Sequence, residues 1–489
     1  MFAIRNVDLS QVTVGTLIVA VIEDQEIQEI YEQDIINKII NEHKSIPEFP
    51  KEKKEQLILY KVPGINADKV IFVSLGKLEQ VTSEDVRVVI GSAISKCMGM
   101  KLDEAYVAIP SKLKLPYADV ISAMLEGAYL RNYIFDKYKK DKKTKTLSKV
   151  VFVTHESDIR EYEALNKKNM AICSGTLMAR EWVSTPANEL TPEIFANEII
   201  DKAIDSGITI NVMEEQQLAD QNFNALLAVS MGSQNKPRFV IMEHNIDNTD
   251  KICVLVGKAV TFDSGGINLK TSDSLSDMKS DMSGGAAVAA TMITAAKLKL
   301  PMGLVGIIPI VENMPSGSAI RPGDIVKSYN GKTIEILNTD AEGRLILADA
   351  ISYAKKEYNP EMIIDLATLT GACVVALGEK FAGIFSHDKE MIEQMLKSSE
   401  RTYERCWQLP MPDDYKEFLK SDFADIKNIS SRRWGGAITA ALFLSDFVGD
   451  TKWMHLDIAG PAYITKGDPY CPVGGTGFGV RLLCDFLQQ

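Results

Sequence analysis

The chain has 489 residues, of which 46% are apolar and 25% charged, and a formal charge of −12. That length exceeds what one hydrophobic core serves and predicts two domains, while the ordinary balance of apolar and charged residues excludes a disordered or fibrous chain. No run of eighteen apolar residues argues for a membrane span, and the seven scattered cysteines, without CxxC spacing, suit reduced thiols in a cytoplasmic compartment.

In chain order, Met1-Phe2-Ala3-Ile4-Arg5-Asn6 lacks the basic-then-apolar plan of a signal peptide. Apolar runs at Val12–Ile22, Val70–Leu75, Ala105–Ile109 and Val150–Val153 read as strands, with helical stretches between them, including Asp119–Tyr133. Ile159–Trp182 reads as a helical connector, broken at Thr185-Pro186-Ala187-Asn188. Alternation then resumes: strands at 238–242, 252–256, 303–311 and 362–366, helices at 284–298, 344–357 and 435–447. The pattern predicts an α/β protein of two domains, each a mixed sheet flanked by helices, joined by a long connecting helix. The predicted boundaries are 1–158 for a first domain without assignable motifs, 159–184 for the connector and 185–489 for the second domain.

Charge is uneven along this plan. Residues 1–150 hold 22 Lys and Arg against 21 Asp and Glu, a formal +1, which leaves −13 on the remainder. The one basic run, Lys137 to Lys149, reads as a solvated surface segment, and the composition gives no support to nucleic-acid binding. A negative field over the second half would attract cationic groups.

Two segments of that half carry the chemistry. Asn338-Thr339-Asp340-Ala341-Glu342-Gly343-Arg344-Leu345 places two carboxylates two positions apart, between a strand-like run and the apolar start of a helix. Oxygen donors converging at such a turn suit hard cations. The competing reading is capping, because acidic residues favour a helix's first turn. Upstream, the strand Ile252–Val256 runs into Gly257-Lys258, then Thr261-Phe262-Asp263-Ser264-Gly265-Gly266, Lys270, and Asp281 within Met278–Met282. Strand ends and Gly-rich turns at the carboxyl edge of an α/β sheet are the usual place for a site. Here the competing reading is solvated lysine–aspartate pairs. A phosphate-binding loop is excluded: Ser or Thr does not follow Lys258, and the first glycine of that pattern is missing. The five histidines lie outside both segments and form no HExxH, which argues against a one-zinc protease; His455 reads as a packed core histidine.

Asn338 to Leu345 resembles the signature of the leucyl aminopeptidase (cytosol aminopeptidase) family, the M17 di-metal exopeptidases. Val256-Gly257-Lys258, the Thr261–Gly266 and Met278–Met282 runs, Asp365–Gly371, His455–Gly460 and Gly475–Val480 are similar to that family with its own spacings. The similarity runs from about Arg180 to the C-terminus. It implies Asp263, Asp340 and Glu342 as ligands of a more exchangeable metal, and Lys258, Asp263, Asp281 and Glu342 as ligands of a tighter one. It implies Lys270 and Arg344 as catalytic residues outside the ligand set, with Arg344 holding a bicarbonate ion as general base. Met278, Thr368, Gly371 and Ala459 are implied as the pocket for the first side chain. Also implied are a cytoplasmic homohexamer, and zinc or manganese as the metals, with magnesium or cobalt as further candidates at the exchangeable site.

The implied set is physically coherent. Two dications sharing a water lower its pKa and polarise a carbonyl, and four clustered carboxylates require cations. Lys258 would have to bind as a neutral amine, against a free pKa of about 10.4. The expected function is release of N-terminal, apolar residues from peptides. The alternatives are a di-metal phosphoesterase and an additional DNA-binding regulatory role on the same scaffold.

Overall fold

The computed structural model describes residues 1–23, 29–142, 144–249, 251–271 and 275–489. They form two compact units, 1–174 with 466–473, and 175–465 with 474–489.

In the first unit, β1 (Phe2–Asn6), β2 (Val14–Val21), β3 (Gln56–Tyr60), β4 (Ala67–Ser74), β5 (Glu104–Ala108) and β6 (Lys149–Thr154) form one sheet in the order β1-β6-β5-β2-β4-β3. Only β3 runs antiparallel to its neighbour. The unbroken apolar run Leu17-Ile18-Val19-Ala20-Val21 is wholly buried, as a parallel strand covered on both faces must be. Helices Asp34–His43, Ser83–Gly99 and Tyr117–Arg131 flank the sequence of strands. The second of these starts at a reciprocal Thr82–Asp85 capping box. The predicted strands correspond to β2, β4, β5 and β6. The edge strands β1 and β3 are half-exposed, so neither shows the continuous apolar run that marks the interior ones. In the lysine-rich run, Lys142, Lys145 and Lys149 pair with Asp136, Asp103 and Glu104 at the surface; Lys143 lies outside the described residues.

The expected connector is the helix Arg160–Ser184. The division between the units falls inside it, at Ser174 and Gly175.

The second unit contains β7 (Thr209–Glu214), β8 (Arg238–His244), β9 (Ile252–Gly257), β10 (Ala259–Asp263), β11 (Gly303–Asn313), β12 (Ile325–Lys327), β13 (Thr333–Glu335), β14 (Met362–Ala367), β15 (Ala382–Phe385), β16 (Cys406–Gln408), β17 (Ile426–Lys427) and β18 (Lys452–Asp457). The main sheet runs β16-β15-β18-β14-β9-β11-β8-β7, with β10 also paired to β11. Four adjacent central strands, β18, β14, β9 and β11, are mutually parallel, and β10 is parallel to β11. Their carboxyl ends therefore share one edge of the sheet. The helix Ser283–Lys297 is buried along nearly its whole length, and its Gly284-Gly285-Ala286-Ala287 start permits close approach to the strands. Strands β12, β13 and β17 make a small separate sheet, and β13 leads into the carboxylate-bearing octapeptide. Among the described residues, no helix is long and apolar enough to cross a membrane.

Candidate metal centre

The carboxyl edge of the parallel strands collects the candidate residues. Lys258 follows β9, Asp263 ends β10, Asn313 ends β11, Thr368 follows β14 and Asp457 ends β18. From the small sheet comes the octapeptide turn, and from the short turn just before the helix Ser283–Lys297 comes Asp281.

The side chains converge. Oxygens of Asp263, Asp340 and Glu342 all lie within 4.8 Å of one another. Lys258 Nζ sits 2.8 Å from Asp281 Oδ1 and 2.9 Å from Glu342 Oε1, and donates to the Thr368 carbonyl at 2.9 Å. Lys270 Nζ lies 2.8 Å from Asp263 Oδ2 and 2.6 Å from Asp340 Oδ1. Thus Lys258, Asp263, Lys270, Asp281, Asp340 and Glu342, read from two separate stretches, form one cluster.

Both competing readings fail on this geometry. Glu342 occupies the cap position of the helix Gly343–Tyr358, yet its side chain makes no capping bond and turns to Lys258 instead. Lys258, Asp263, Asp281 and Glu342 are each at most 5% exposed, so they are not solvated surface pairs.

Local conformation makes the convergence possible. Gly265 has φ +86°, and a Cβ there would lie 2.8 Å from Asp340 Oδ1 and 2.5 Å from the Asn268 carbonyl. Gly343 borders Lys258 so closely that a Cβ would lie 2.5 Å from its Cε and 2.8 Å from its Nζ. The two ligand-bearing loops are zipped together: the Thr339 hydroxyl donates to the Gly265 carbonyl at 2.6 Å and accepts from Asn268 N at 2.9 Å.

The electrostatics call for cations. Burial, then repulsion from Asp263, raises the pKa of both Asp340 and Glu342. Asp281 is raised by burial first, against the pull of Lys258. For Lys258 burial opposes the charge, but Asp281, Glu342 and Asp263 outweigh it and raise its pKa. Lys270 behaves likewise, with Asp263 the main partner that holds it charged. Counted as ionised, four carboxylates against two ammoniums would leave two formal negative charges in a largely buried cluster. In addition, Asp281 Oδ2 and Glu342 Oε2 are buried without a hydrogen-bond partner. Such orphaned acceptors cost about 1–3 kcal/mol each unless something binds them. Hard oxygen donors, surplus negative charge and unpartnered oxygens fit divalent cations.

Arg344 lies in the first turn of the helix Gly343–Tyr358 and is buried. One end of its guanidinium donates to the Asn428 carbonyl at 2.7 Å, and its Nε is buried without a partner. Burial draws its pKa down to about 10, which keeps it charged at neutral pH.

The four pocket candidates are each at least partly accessible. Thr368 donates to Asp281 Oδ1 at 2.6 Å, Met278 accepts from Asp281 N at 3.3 Å through its carbonyl, and Ala459 N donates to Asp457 at 3.2 Å. Gly371 starts the helix Gly371–Leu377, which Thr370 caps. Two surface cavities, of about 550 Å³ beside Gln56 and Lys96 and about 340 Å³ beside Tyr329 and Phe447, are lined by none of these residues.

Sequence reading missed the residues that hold this set in place. Asn313 donates to Asp263 Oδ1 at 2.8 Å and to the Thr339 carbonyl at 3.1 Å. Asn428 accepts from Leu337 N at 2.9 Å and donates to the Asn338 carbonyl at 2.7 Å. Asp457 accepts from Leu369 N at 3.2 Å and from the Thr370 hydroxyl at 2.6 Å. The signal for Asn313 was a polar residue closing an apolar strand at the functional edge; Asn428 had no local signal. His455 is the core histidine expected: fully buried, with Nδ1 2.6 Å from Asp365 Oδ1.

Residues 177–484 match the model of the cytosol aminopeptidase family catalytic domain (peptidase M17), and residues 18–142 match that of the family's N-terminal domain. The chain is 43% identical over 440 residues to a probable cytosol aminopeptidase of Cenarchaeum symbiosum, covering 89% of each chain. It is 42% identical over 435 residues to one of Geobacter sp. strain M21, covering 88% of each. The solved structure of the bottromycin maturation enzyme BotP in complex with Mn superposes with a TM-score of 0.85 at 33% identity, over 97% of this chain and 98% of that one. With a carboxylate cluster built for cations at the expected edge of the sheet, the chain belongs to the cytosol aminopeptidase family, the M17 metal-dependent exopeptidases.

Proposed function

We propose that the cluster holds two divalent ions, zinc or manganese, and removes apolar N-terminal residues, leucine among them, from peptides. The observation that carries this reading is the meeting of Asp263, Asp340 and Glu342 within 4.8 Å, with Lys258 between Asp281 and Glu342. We assign Asp263, Asp340 and Glu342 to the exchangeable ion, and Lys258, Asp263, Asp281 and Glu342 to the tighter one; Lys258, held as an ammonium by those carboxylates, would have to lose its proton to join that set. When bound, such a pair supplies an activated water at neutral pH and an electrophile for the scissile carbonyl.

The chain's own residues supply the remainder. Lys270, the most accessible cation of the cluster, stays an ammonium and stabilises negative charge as it develops on the carbonyl oxygen. The substrate's free α-amine would sit close to Asp281 at the ion site, which restricts the reaction to unblocked N-termini. Arg344, fixed at one end by Asn428, presents its free edge to a planar oxyanion, bicarbonate, in the bidentate manner of a guanidinium fork. Met278, Thr368, Gly371 and Ala459 bound the first side chain; an adaptable methionine among small residues admits a bulky apolar group.

The remaining assignments rest on the family: a cytoplasmic homohexamer, with 1–158 as an N-terminal domain, 159–184 as connector and 185–489 as the catalytic domain. The test compares three substrates on one metal-loaded preparation: leucyl-p-nitroanilide, its N-acetylated form and p-nitrophenyl phosphate. Cleavage of the first alone is expected. Equal cleavage of the acetylated substrate, or phosphate release in place of anilide release, contradicts the proposal.

A further inference from the structure

Asp281 has one oxygen satisfied and one free. Its Oδ1 accepts from Lys258 Nζ at 2.8 Å and from the Thr368 hydroxyl at 2.6 Å, whereas Oδ2 is buried without a partner. A carboxylate on a short side chain can rotate and present either oxygen; two donors on one of them remove that freedom. Thr368 also bonds through its backbone, its carbonyl accepting from Lys258 Nζ at 2.9 Å. One residue thus touches two of the assigned ligands of the tighter ion.

Thr368 is itself held. The turn that follows it is clamped by Asp457, whose Oδ1 accepts from Leu369 N at 3.2 Å and whose Oδ2 accepts from the Thr370 hydroxyl at 2.6 Å. Asp457 is fully buried at the end of β18, one strand away from the end of β14. The chain of contact runs from a strand end, through a rigid turn, to the ligand.

We infer that Thr368 is a positioning residue for the metal centre: its hydroxyl holds Asp281 by Oδ1 and leaves Oδ2 free to serve as a ligand, and its carbonyl orients the Lys258 side chain. The inference rests on the two-ion reading above and gives Thr368 a role separate from bounding the first side chain. Hydrogen-bond partners of metal ligands typically carry 10–100-fold in metal affinity or activity.

The roles separate with two substitutions. Thr368→Val keeps the volume and removes the hydroxyl; Thr368→Ser keeps the hydroxyl and removes the methyl. Each purified variant, loaded with manganese or zinc, is dialysed against graded chelator, and retained metal is measured by mass spectrometry. Thr368→Val should lose the tighter ion at roughly 10–100-fold lower free chelator than the native chain, with Thr368→Ser close to native. A wall of the substrate pocket would behave otherwise: KM for a leucyl substrate would shift in both variants and metal retention in neither, and that result overturns the inference. Asp263→Ala, carried alongside, keeps the two failures apart. If Asp263→Ala also retains both ions, the two-ion reading itself is wrong; if it loses them while Thr368→Val does not, only the role of Thr368 falls.

Discussion

The side-chain amide of Asn313 lies 2.8 Å from Asp263 Oδ1, joining the last residue of one parallel strand to the last residue of its neighbour. The same amide donates to the carbonyl of Thr339, beside Asp340. Two chain segments that carry metal ligands are therefore referenced to one buried group. Asn313→Ala should lower kcat/KM about 10–100-fold at saturating metal. Asn313→Asp, which sets a second carboxylate against Asp263, should cost more. Steady-state kinetics with a leucyl anilide decide it; unchanged kinetics in the alanine variant would show that Asp263 needs no such support.

Gly343 has the opposite character: it matters by what it lacks. An added Cβ would lie 2.5 Å from Lys258 Cε, so the end of that flexible side chain must leave its place between Asp281 and Glu342. Ala is otherwise the better helix former by about 0.5–1 kcal/mol. Gly343→Ala should therefore melt near the native temperature while losing most metal and turnover. A variant that is native in both respects would place Lys258 outside the ligand set.

Lys270 bridges Asp263 and Asp340 but is assigned no metal. Lys270→Ala should retain both ions while kcat falls about 10²–10³-fold, the usual loss on removing one oxyanion donor. Metal analysis and turnover on the same sample test the split.

Asp349 offers a pH-dependent test away from the site. It is fully buried in the helix Gly343–Tyr358, accepts from Leu226 N at 3.0 Å and Tyr329 N at 2.8 Å, and burial raises its pKa from 3.8 to about 7. The folded state thus holds this proton more tightly than the unfolded state. Its contribution to stability is complete below pH 3.8 and is lost as pH rises through about 7. Relative to the native chain, Asp349→Asn should gain in melting temperature as the buffer moves from about pH 5 to pH 8. A difference that is flat with pH would show that Asp349 ionises at its ordinary value.

The convergence of these side chains was legible in sequence because they sit at punctuation marks. Lys258 follows Gly257 at the end of an apolar strand, Asp263 precedes Gly265-Gly266, and Asp340 and Glu342 precede a helix start. Interior strands such as β2 and β9 were equally plain, since burial on both faces writes a continuous apolar run. The supports were not legible. Asn428 meets the octapeptide only because β17 pairs with β13, about ninety residues away, and nothing local records that pairing. Asp457 lay in a recognised motif, but its task of clamping the turn after Thr368 depends on β18 lying beside β14. Edge strands β1 and β3 and the transfer of 466–473 to the first unit were hidden for the same reason. They are settled by tertiary contact, which a local pattern does not encode.

The most direct measurement is metal content against activity in one titration. The native chain, stripped with chelator and refilled stepwise, should be inactive when empty and should regain leucyl anilide hydrolysis as it takes up two ions per chain. Asp263→Ala and Glu342→Ala, whose carboxylates are assigned to both ions, should recover neither binding nor turnover. Full hydrolysis by a native chain shown by mass spectrometry to carry no metal would contradict the assignment.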